Sequence, residues 1–205
     1  MNVVGLVLAG GQSRRMGGGD KALRVFGGIS LLERVIERLR PQVGEVVLNA
    51  NGDPARFAEF GLPVVPDSVP DFAGPLAGVL AGLDWTATHR ADCPFIVSVA
   101  TDAPFLPPDL VARLLAQLGA ADADLSCATS AGRAHPVFGL WPVRLREDLR
   151  RAVLDEGVRK VDQWTSRHKL VTVPFPDLPV DPFFNANRPD DLDRAEALLR
   201  AGKAR

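Results

Sequence analysis

A glycine-rich segment near the amino terminus carries the residue types that bind phosphate. It runs from Leu8 to Lys21 and reads LAGGQSRRMGGGDK. Its five glycines leave no side chain between backbone and ligand, so successive backbone N–H groups can form an anion-binding nest. Arg14, Arg15 and Lys21 add positive charge to the same segment. Because a triphosphate spreads its negative charge over many oxygens, it needs several donors and cations, and the segment predicts a triphosphate-binding loop.

Two well-known phosphate loops do not match this segment. A Walker A loop ends in Gly-Lys-Ser/Thr, whereas Asp20 precedes Lys21 here and Ala22 follows it. The G-x-G-x-x-G spacing of dinucleotide-binding proteins is absent, so a nicotinamide enzyme is not indicated. The alternative to a phosphate loop is a flexible glycine turn that carries surface arginines.

A carboxylate follows one of the predicted strands. Asp102 lies just beyond the apolar run Phe95–Ala100, and ligands of open α/β sheets bind at the carboxyl ends of the strands. A lone carboxylate there suits Mg²⁺, a hard cation that keeps several waters and is shared with substrate phosphates. The alternative is a residue that merely precedes a helix beginning at Pro107-Pro108.

Two further polar residues are expected at the same edge of the sheet. Asn49 ends the second predicted strand, and Asp67 follows the third. An asparagine both donates and accepts hydrogen bonds, and an aspartate accepts two N–H groups at once, as a purine base or a ribose would require. The alternative is an Asx turn at each strand end, which is common for these residue types.

Short apolar runs alternate with helix-patterned stretches, and this alternation predicts β-α-β units with a mostly parallel sheet covered on both faces. Ser30 is expected to cap the helix that begins at Leu31, with Glu33 completing a capping box. The predicted strands are Val3–Leu8, Glu45–Asn49, Val64–Val65, Phe95–Ala100, Leu125–Ala128 and Val137–Trp141. The other predicted helices are Pro54–Phe60, Leu76–Leu83, one opened by Pro107-Pro108, Leu145–Leu154 and Leu192–Leu199.

The composition excludes several classes of protein. Among 205 residues, 24 Lys and Arg balance 25 Asp and Glu, and a net charge of −1 does not suit a dedicated nucleic-acid binder. Two cysteines make no disulfide framework, and we expect Cys93 and Cys127 to be free buried thiols. There is no apolar run of membrane-spanning length and no signal-peptide pattern, so we expect a single-domain cytoplasmic protein without a membrane partner.

The glycine-rich segment resembles the signature of nucleotidyltransferases that join an NTP to a phosphorylated acceptor and release pyrophosphate. Within that superfamily the chain is most similar to the molybdenum cofactor guanylyltransferases, because relatives that use CTP usually carry LAAG where this chain has LAGG. The similarity extends over nearly the whole chain. The shorter motifs that carry it are Asn49–Asn51, Asp67-Ser68, Gly74–Gly78, Thr101–Pro104, His135–Phe138 and Asn185–Asn187.

The resemblance implies a three-layer Rossmann-like fold with a nucleotide half at about 1–105 and an acceptor half at about 106–205. It implies transfer of GMP from GTP to the phosphate of molybdopterin, with Mg²⁺ on Asp102. Catalysis is expected from Lys21, Arg15 and Asp102, and Gly74–Gly78 resembles the segment that lines the guanine pocket. The expected nucleotide contacts are Leu8, Ala9, Gly10, Gly11, Lys21, Asn49, Asp67 and Asp102.

On the acceptor side, the resemblance places His135, Asn185 and Asn187 near the pterin and its phosphate, without assigning His135 as a base. Arg159 and Lys160 offer two cations for an anionic acceptor, or else form a solvated basic patch. Transient contact with other proteins of molybdenum cofactor synthesis is expected. Two alternatives stay open: a nucleotidyltransferase that uses CTP or a phosphorylated sugar or metabolite, and a non-catalytic GTP-binding sensor.

Overall fold

The computed structural model describes residues 2–10, 21–69, 74–185, 193, 196 and 197, except for the side chains of Lys21 and Phe26. Strands and helices alternate along this part of the chain. Its strands are β1 (Val3–Leu8), β2 (Val25–Phe26), β3 (Ile29–Ser30), β4 (Glu45–Asn49), β5 (Val64–Val65), β6 (Phe95–Ala100), β7 (Leu125–Ser130), β8 (Arg133–Pro142) and β9 (Leu170–Pro174). Its α-helices are α1 (Leu31–Leu39), α2 (Pro75–His89), α3 (Leu110–Ala120), α4 (Arg146–Leu154) and α5 (Val161–Thr165).

Seven of these strands form one sheet in the order β5-β4-β1-β6-β8-β7-β9. β8 is antiparallel to both of its neighbours, and the other pairs in the sheet are parallel. After β1 the chain builds outward to β4 and β5 and then returns to place β6 on the other side of β1. The strand order therefore reverses between β1 and β6, which makes that gap the topological switch point of the sheet. The predicted α/β fold with a mostly parallel sheet is confirmed.

Each face of the sheet is covered by helices. α1 and α3 pack on one face, where Leu32 and Leu114 meet side chains of the central strands. α2, α4 and α5 pack on the other face, and the largest buried side chains there are Trp141 and Trp164. α2 is apolar around most of its circumference because it lies between the sheet and α4, so it has little surface to offer to water.

Most predicted elements are confirmed, with shifted ends. Ser30 caps α1, accepting a hydrogen bond from the Glu33 N–H at 3.1 Å. Pro107-Pro108 do not open a helix: they lie in the preceding turn, and α3 begins at Leu110 with Asp109 as its N-cap. Both cysteines are free and buried, as expected. The helix predicted at Leu192–Leu199 lies mostly outside the described residues.

The sequence patterns did not predict β2, β3, α5 or β9. The β2–β3 hairpin turns at Gly27 and Gly28, whose φ angles of 58° and 92° suit glycine. Among the described helices, none is long and apolar enough to span a bilayer.

Candidate functional site

The glycine-rich segment and Asp102 leave the sheet side by side. Leu8, the last residue of β1, pairs with Asn49 of β4 on one side and Ala100 of β6 on the other. The N–H of Ala9 donates to the Asn49 carbonyl oxygen at 2.9 Å, so the first residue after β1 is still tied to the sheet. The segment that leads from Leu8 and the turn that leads from Ala100 therefore both begin at the switch point, where ligands of open α/β sheets bind.

Asn49 and Asp67 are in direct contact. The Asn49 side-chain amide donates to Asp67 Oδ1 at 3.0 Å and to the Val65 carbonyl oxygen at 3.1 Å. Asn51, which the sequence analysis named in a motif without giving it a role, donates to Asp67 Oδ2 at 2.7 Å and accepts the Asp67 backbone N–H at 2.8 Å. Each oxygen of the carboxylate thus accepts from an amide, which fixes its orientation at the edge of the sheet.

A glycine of α2 allows the helix to approach this cluster. A Cβ built on Gly78 would lie 2.3 Å from Asn49 Oδ1 and 2.7 Å from Leu8 Cδ2, closer than real Cβ atoms approach other atoms. Any larger residue at position 78 must displace Asn49 or the helix. The compact glycine segment predicted beside the nucleotide therefore borders Asn49, and its glycine is required by a close contact.

Hydrogen bonds from α1, and from the turn that follows α1, hold the loop that carries Asp102. Gln42, a buried residue, donates to the Pro107 carbonyl oxygen at 2.8 Å and accepts the Val111 N–H at 3.1 Å. Arg38 donates to the Leu106 carbonyl oxygen at 2.9 Å. Asp102 itself is half-buried in the turn after β6. These bonds hold the main chain between β6 and α3, so the position of Asp102 is set by the packed scaffold.

His135 lies at the same edge because β8 runs against its neighbours. The sequence placed His135 before a strand that starts at Val137, but β8 starts at Arg133 and includes His135. The β7–β8 register shifts between Cys127 and Ala128, which leaves Pro136 in a bulge where its missing N–H costs no ladder bond. Burial lowers the pKa of His135, an effect that nearby Arg133 adds to and that Asp181 partly opposes.

The other predicted acceptor residues lie on the surface of the protein or outside the described part of the chain. Arg159 and Lys160 are exposed between α4 and α5, and Arg159 Nη1 donates to the Val153 carbonyl oxygen at 3.4 Å. This segment packs on the face of the sheet that α2 covers, where Val158 joins the core. Asn185 is exposed near the end of the continuous described chain. The predicted roles of Gly11, Arg15 and Asn187 and of the Lys21 side chain lie outside the described residues.

Ser130 and Asp181 contact the predicted site residue His135 directly or through each other, but the sequence did not predict either of them as a site residue. Ser130 is buried at the end of β7, and its hydroxyl lies 2.7 Å from His135 Nε2 and 2.8 Å from Asp181 Oδ1. Asp181 lies in a proline-rich stretch of the sequence that follows β9. Thr129 and Ser130 are both polar, so no alternating pattern extended the predicted strand from Ala128 to Ser130.

The oxygen donors at this edge suit a hard cation. Asp102 offers a half-buried carboxylate beside the segment predicted to bind phosphates, and a single carboxylate leaves the other coordination positions to phosphate oxygens and water. In the part of the chain that the structure describes, no three His, Cys, Asp or Glu side chains form a metal-binding group. The donor set therefore fits an ion that is shared with a nucleotide.

An open α/β sheet with a glycine-rich segment, a carboxylate and an Asn–Asp pair around its switch point is the architecture of a nucleotide-binding α/β protein. The family model that matches the chain is the MobA-like NTP transferase domain, over residues 5–170. The chain belongs to this family and is a nucleotidyltransferase.

Individual relatives agree with this assignment. A molybdenum cofactor guanylyltransferase from Bradyrhizobium sp. (strain ORS 278) is 63% identical over 96% of this chain and 92% of its own length. The crystal structure of molybdopterin-guanine dinucleotide biosynthesis protein A from Archaeoglobus fulgidus has a TM-score of 0.75 at 26% identity and covers 97% of this chain and 99% of its own. A Mycobacterium tuberculosis H37Rv protein solved in complex with manganese shares the fold, with a TM-score of 0.68 at 20% identity over 96% of this chain and 99% of its own.

Proposed function

We propose that this enzyme transfers GMP from GTP to the phosphate of molybdopterin, releasing pyrophosphate and forming the guanine dinucleotide form of the cofactor. The observation that carries the proposal is the pairing of Leu8 with both Asn49 and Ala100, which gathers the glycine-rich segment, the Asn49–Asp67 pair and the Asp102 turn at one switch point. The name of the relative that is 63% identical supports GTP and molybdopterin as the substrates.

The reaction requires little proton transfer. A phosphomonoester loses its second proton near pH ~6, so the attacking oxygen of the acceptor is already ionised at neutral pH. A bond forms between that oxygen and the α-phosphorus, and the bond from the α-phosphorus to the oxygen bridging to the β-phosphorus breaks. The electron pair leaves with pyrophosphate. The difficulty is that one anion must approach another, so catalysis consists of positioning and charge neutralisation.

Each part of the site has a place in this scheme. The backbone N–H groups of the glycine-rich segment fix the triphosphate, while Lys21 and Arg15 neutralise charge on the α-phosphate and on the departing pyrophosphate. Asn49 and Asp67 bind the nucleoside. Asp102 is the residue that would hold Mg²⁺, which when bound neutralises charge on the nucleotide phosphates. A neighbour solved with manganese supports a divalent ion of this kind.

The acceptor half of the site draws on residues after about 105. In this proposal the pterin is contacted by His135, Asn185 and Asn187, and Arg159 and Lys160 attract the acceptor's negative charge. The support for this division is that β8 brings His135 to the edge where β6 delivers Asp102, because the two strands are antiparallel neighbours.

The test is a reaction of the full chain with GTP, Mg²⁺ and molybdopterin, followed by mass analysis for the dinucleotide and by measurement of pyrophosphate. Parallel reactions contain CTP, ATP or UTP in place of GTP, or a sugar phosphate in place of molybdopterin. We expect dinucleotide and pyrophosphate to form in equal amounts, and only in the reaction that contains both GTP and molybdopterin. A requirement for CTP would refute the choice of nucleotide, and tight GTP binding without pyrophosphate release would indicate a sensor.

A further inference from the structure

A hydrogen-bonded chain of three side chains links the sheet to the segment that follows β9. Ser130 comes from the end of β7, His135 from the start of β8, and Asp181 from the loop beyond β9. The Ser130 hydroxyl lies 2.8 Å from Asp181 Oδ1 and 2.7 Å from His135 Nε2. Ser130 is only 3% exposed, so water does not compete for these contacts.

The chain of contacts fixes which nitrogen of His135 carries a proton. A carboxylate only accepts hydrogen bonds, so the single proton of the Ser130 hydroxyl is donated to Asp181. The contact between Ser130 and His135 then requires His135 Nε2 to be the donor. Burial lowers the pKa of His135, which favours the neutral ring, and in a neutral ring protonated at Nε2 the Nδ1 atom carries a lone pair. Within the described part of the chain, Nδ1 makes no hydrogen bond.

The same carboxylate organises the segment that leads to Asn185. Asp181 Oδ1 also accepts the Phe183 N–H at 2.9 Å, and the Asp181 carbonyl oxygen accepts the Phe184 N–H at 3.1 Å. The Phe183 ring packs against the His135 imidazole with a centroid distance of 4.7 Å. Through Ser130, Asp181 therefore ties His135 on the sheet to the turn at Phe183 and Phe184 that immediately precedes Asn185.

We propose that Ser130 and Asp181 are positioning residues that hold His135 as the neutral, Nε2-protonated imidazole, so that Nδ1 accepts a hydrogen bond from an N–H donor on the acceptor's heterocycle. The identity of the acceptor rests on the proposed function. A neutral ring that presents a lone pair repels phosphate oxygens, which are themselves acceptors, and attracts the ring N–H and amino groups of a pterin. His135 thereby distinguishes the heterocycle of the acceptor from its phosphate.

The proton assignment is tested on the protein alone. Long-range ¹H–¹⁵N correlation spectra of histidine-labelled protein at pH 7.5 report the tautomer of each imidazole, and His135→Gln identifies the signals of His135. We expect the Nε2–H tautomer in the wild type. Asp181→Ala frees the Ser130 proton to be donated to Nε2, so both tautomers should appear, whereas Asp181→Asn keeps the acceptor oxygen and should preserve the wild-type signal. An Nδ1–H tautomer or an imidazolium in the wild type would overturn the proposal.

The binding role is tested by steady-state kinetics with two replacements of His135. In His135→Asn the amide oxygen replaces the Nδ1 acceptor, whereas in His135→Gln the longer side chain places its amide near Ser130 and leaves the Nδ1 position empty. We expect the KM for molybdopterin to rise about tenfold in His135→Gln, the effect of one hydrogen bond, and at most about threefold in His135→Asn. The KM for GTP should stay unchanged in both.

Equal losses in the two variants, or an equal rise in the KM for GTP, would contradict the proposal. Thermal unfolding of every variant shows whether it is folded, and Ser130→Ala provides a second disruption of the tautomer if Asp181→Ala does not fold. If the wild type makes no dinucleotide, the acceptor role fails together with the proposed function. The spectra then still decide whether Ser130 and Asp181 set the tautomer, so the two failures are distinguishable.

Discussion

Replacing Gly78 by alanine tests whether the approach of α2 to Asn49 matters for the nucleotide. The new Cβ would lie 2.3 Å from Asn49 Oδ1 and 2.7 Å from Leu8 Cδ2, so either the amide or the helix must move. If Asn49 moves, its bonds to Val65 and Asp67 are lost, which costs about 2 kcal/mol, and overpacking adds about 1 kcal/mol or more. The better helix propensity of alanine returns about 1 kcal/mol.

The expected net loss for Gly78→Ala is therefore about 2 kcal/mol of unfolding free energy, which lowers the Tm of a chain this size by about 4–8 °C. The KM for GTP should rise about tenfold, because the hydrogen bond that we propose between Asn49 and the nucleotide is lost. Calorimetry measures the first effect, and pyrophosphate release at varied GTP concentration measures the second.

Two other glycines provide matched controls. A Cβ on Gly82, one turn further along α2, would lie 2.6 Å from a methyl group of Leu6 in the core, so Gly82→Ala should lose stability without raising the KM for GTP. A Cβ on Gly119 of α3 would meet no atom within 4 Å, and Gly119→Ala should gain up to about 1 kcal/mol. The reasoning is refuted if Gly78→Ala matches the wild type in both measurements, or if Gly82→Ala raises the KM as much.

Three more outcomes are expected. Asp102→Ala and Lys21→Ala should each lower kcat about a hundredfold or more in the pyrophosphate assay and leave the Tm unchanged, because each removes charge stabilisation at a reacting phosphate. The control variant Glu147→Ala removes an exposed carboxylate from the start of α4 and should keep full activity. Gln42→Ala should lower the unfolding free energy by about 2–3 kcal/mol in urea titrations, because it leaves the buried Val111 N–H without its partner and removes the shorter of the two hydrogen bonds to the Pro107 carbonyl. Because the pKa of His135 is lower in the folded state than in the unfolded state, the resulting contribution to stability is present above pH ~6.5 and is lost as the pH falls through the native pKa. The Tm difference between wild type and His135→Gln should therefore shrink on acidification, and a difference independent of pH would contradict this.

The positions of the residues on the nucleotide side were largely predictable because these residues follow strands that can be recognised as apolar runs in the sequence. Val3–Leu8 and Phe95–Ala100 are apolar apart from Gly5 and Ser98, as expected for strands buried on both faces, so the residues that follow them could be assigned to one edge. Asn51 was named only as part of the Asn49–Asn51 motif and was given no role, because its partner Asp67 is 16 residues away and no local pattern indicates that pairing.

The acceptor side was harder to predict because it depends on strand direction. An apolar run specifies a strand but does not say whether the strand is parallel to its neighbours, so nothing in Val137–Trp141 revealed that β8 is reversed. Ser130 and Asp181 are 51 residues apart, and only the parallel pairing of β7 with β9 brings the chain back to join them. The segment between α5 and β9 has no regular spacing of apolar residues, so the sequence did not indicate the strand that follows it.

The reversed direction of β8 brings His135 to the edge of the sheet where Asp102 follows β6. β8 is ten residues long, about 30 Å from end to end, so a parallel β8 would leave His135 on the far side of the molecule from Asp102. Reversal is achieved by the tight turn at Ala131 and Gly132, where both φ angles are positive. A two-residue hairpin is thus enough to return the chain to the edge of the sheet from which the Asp102 turn also leaves.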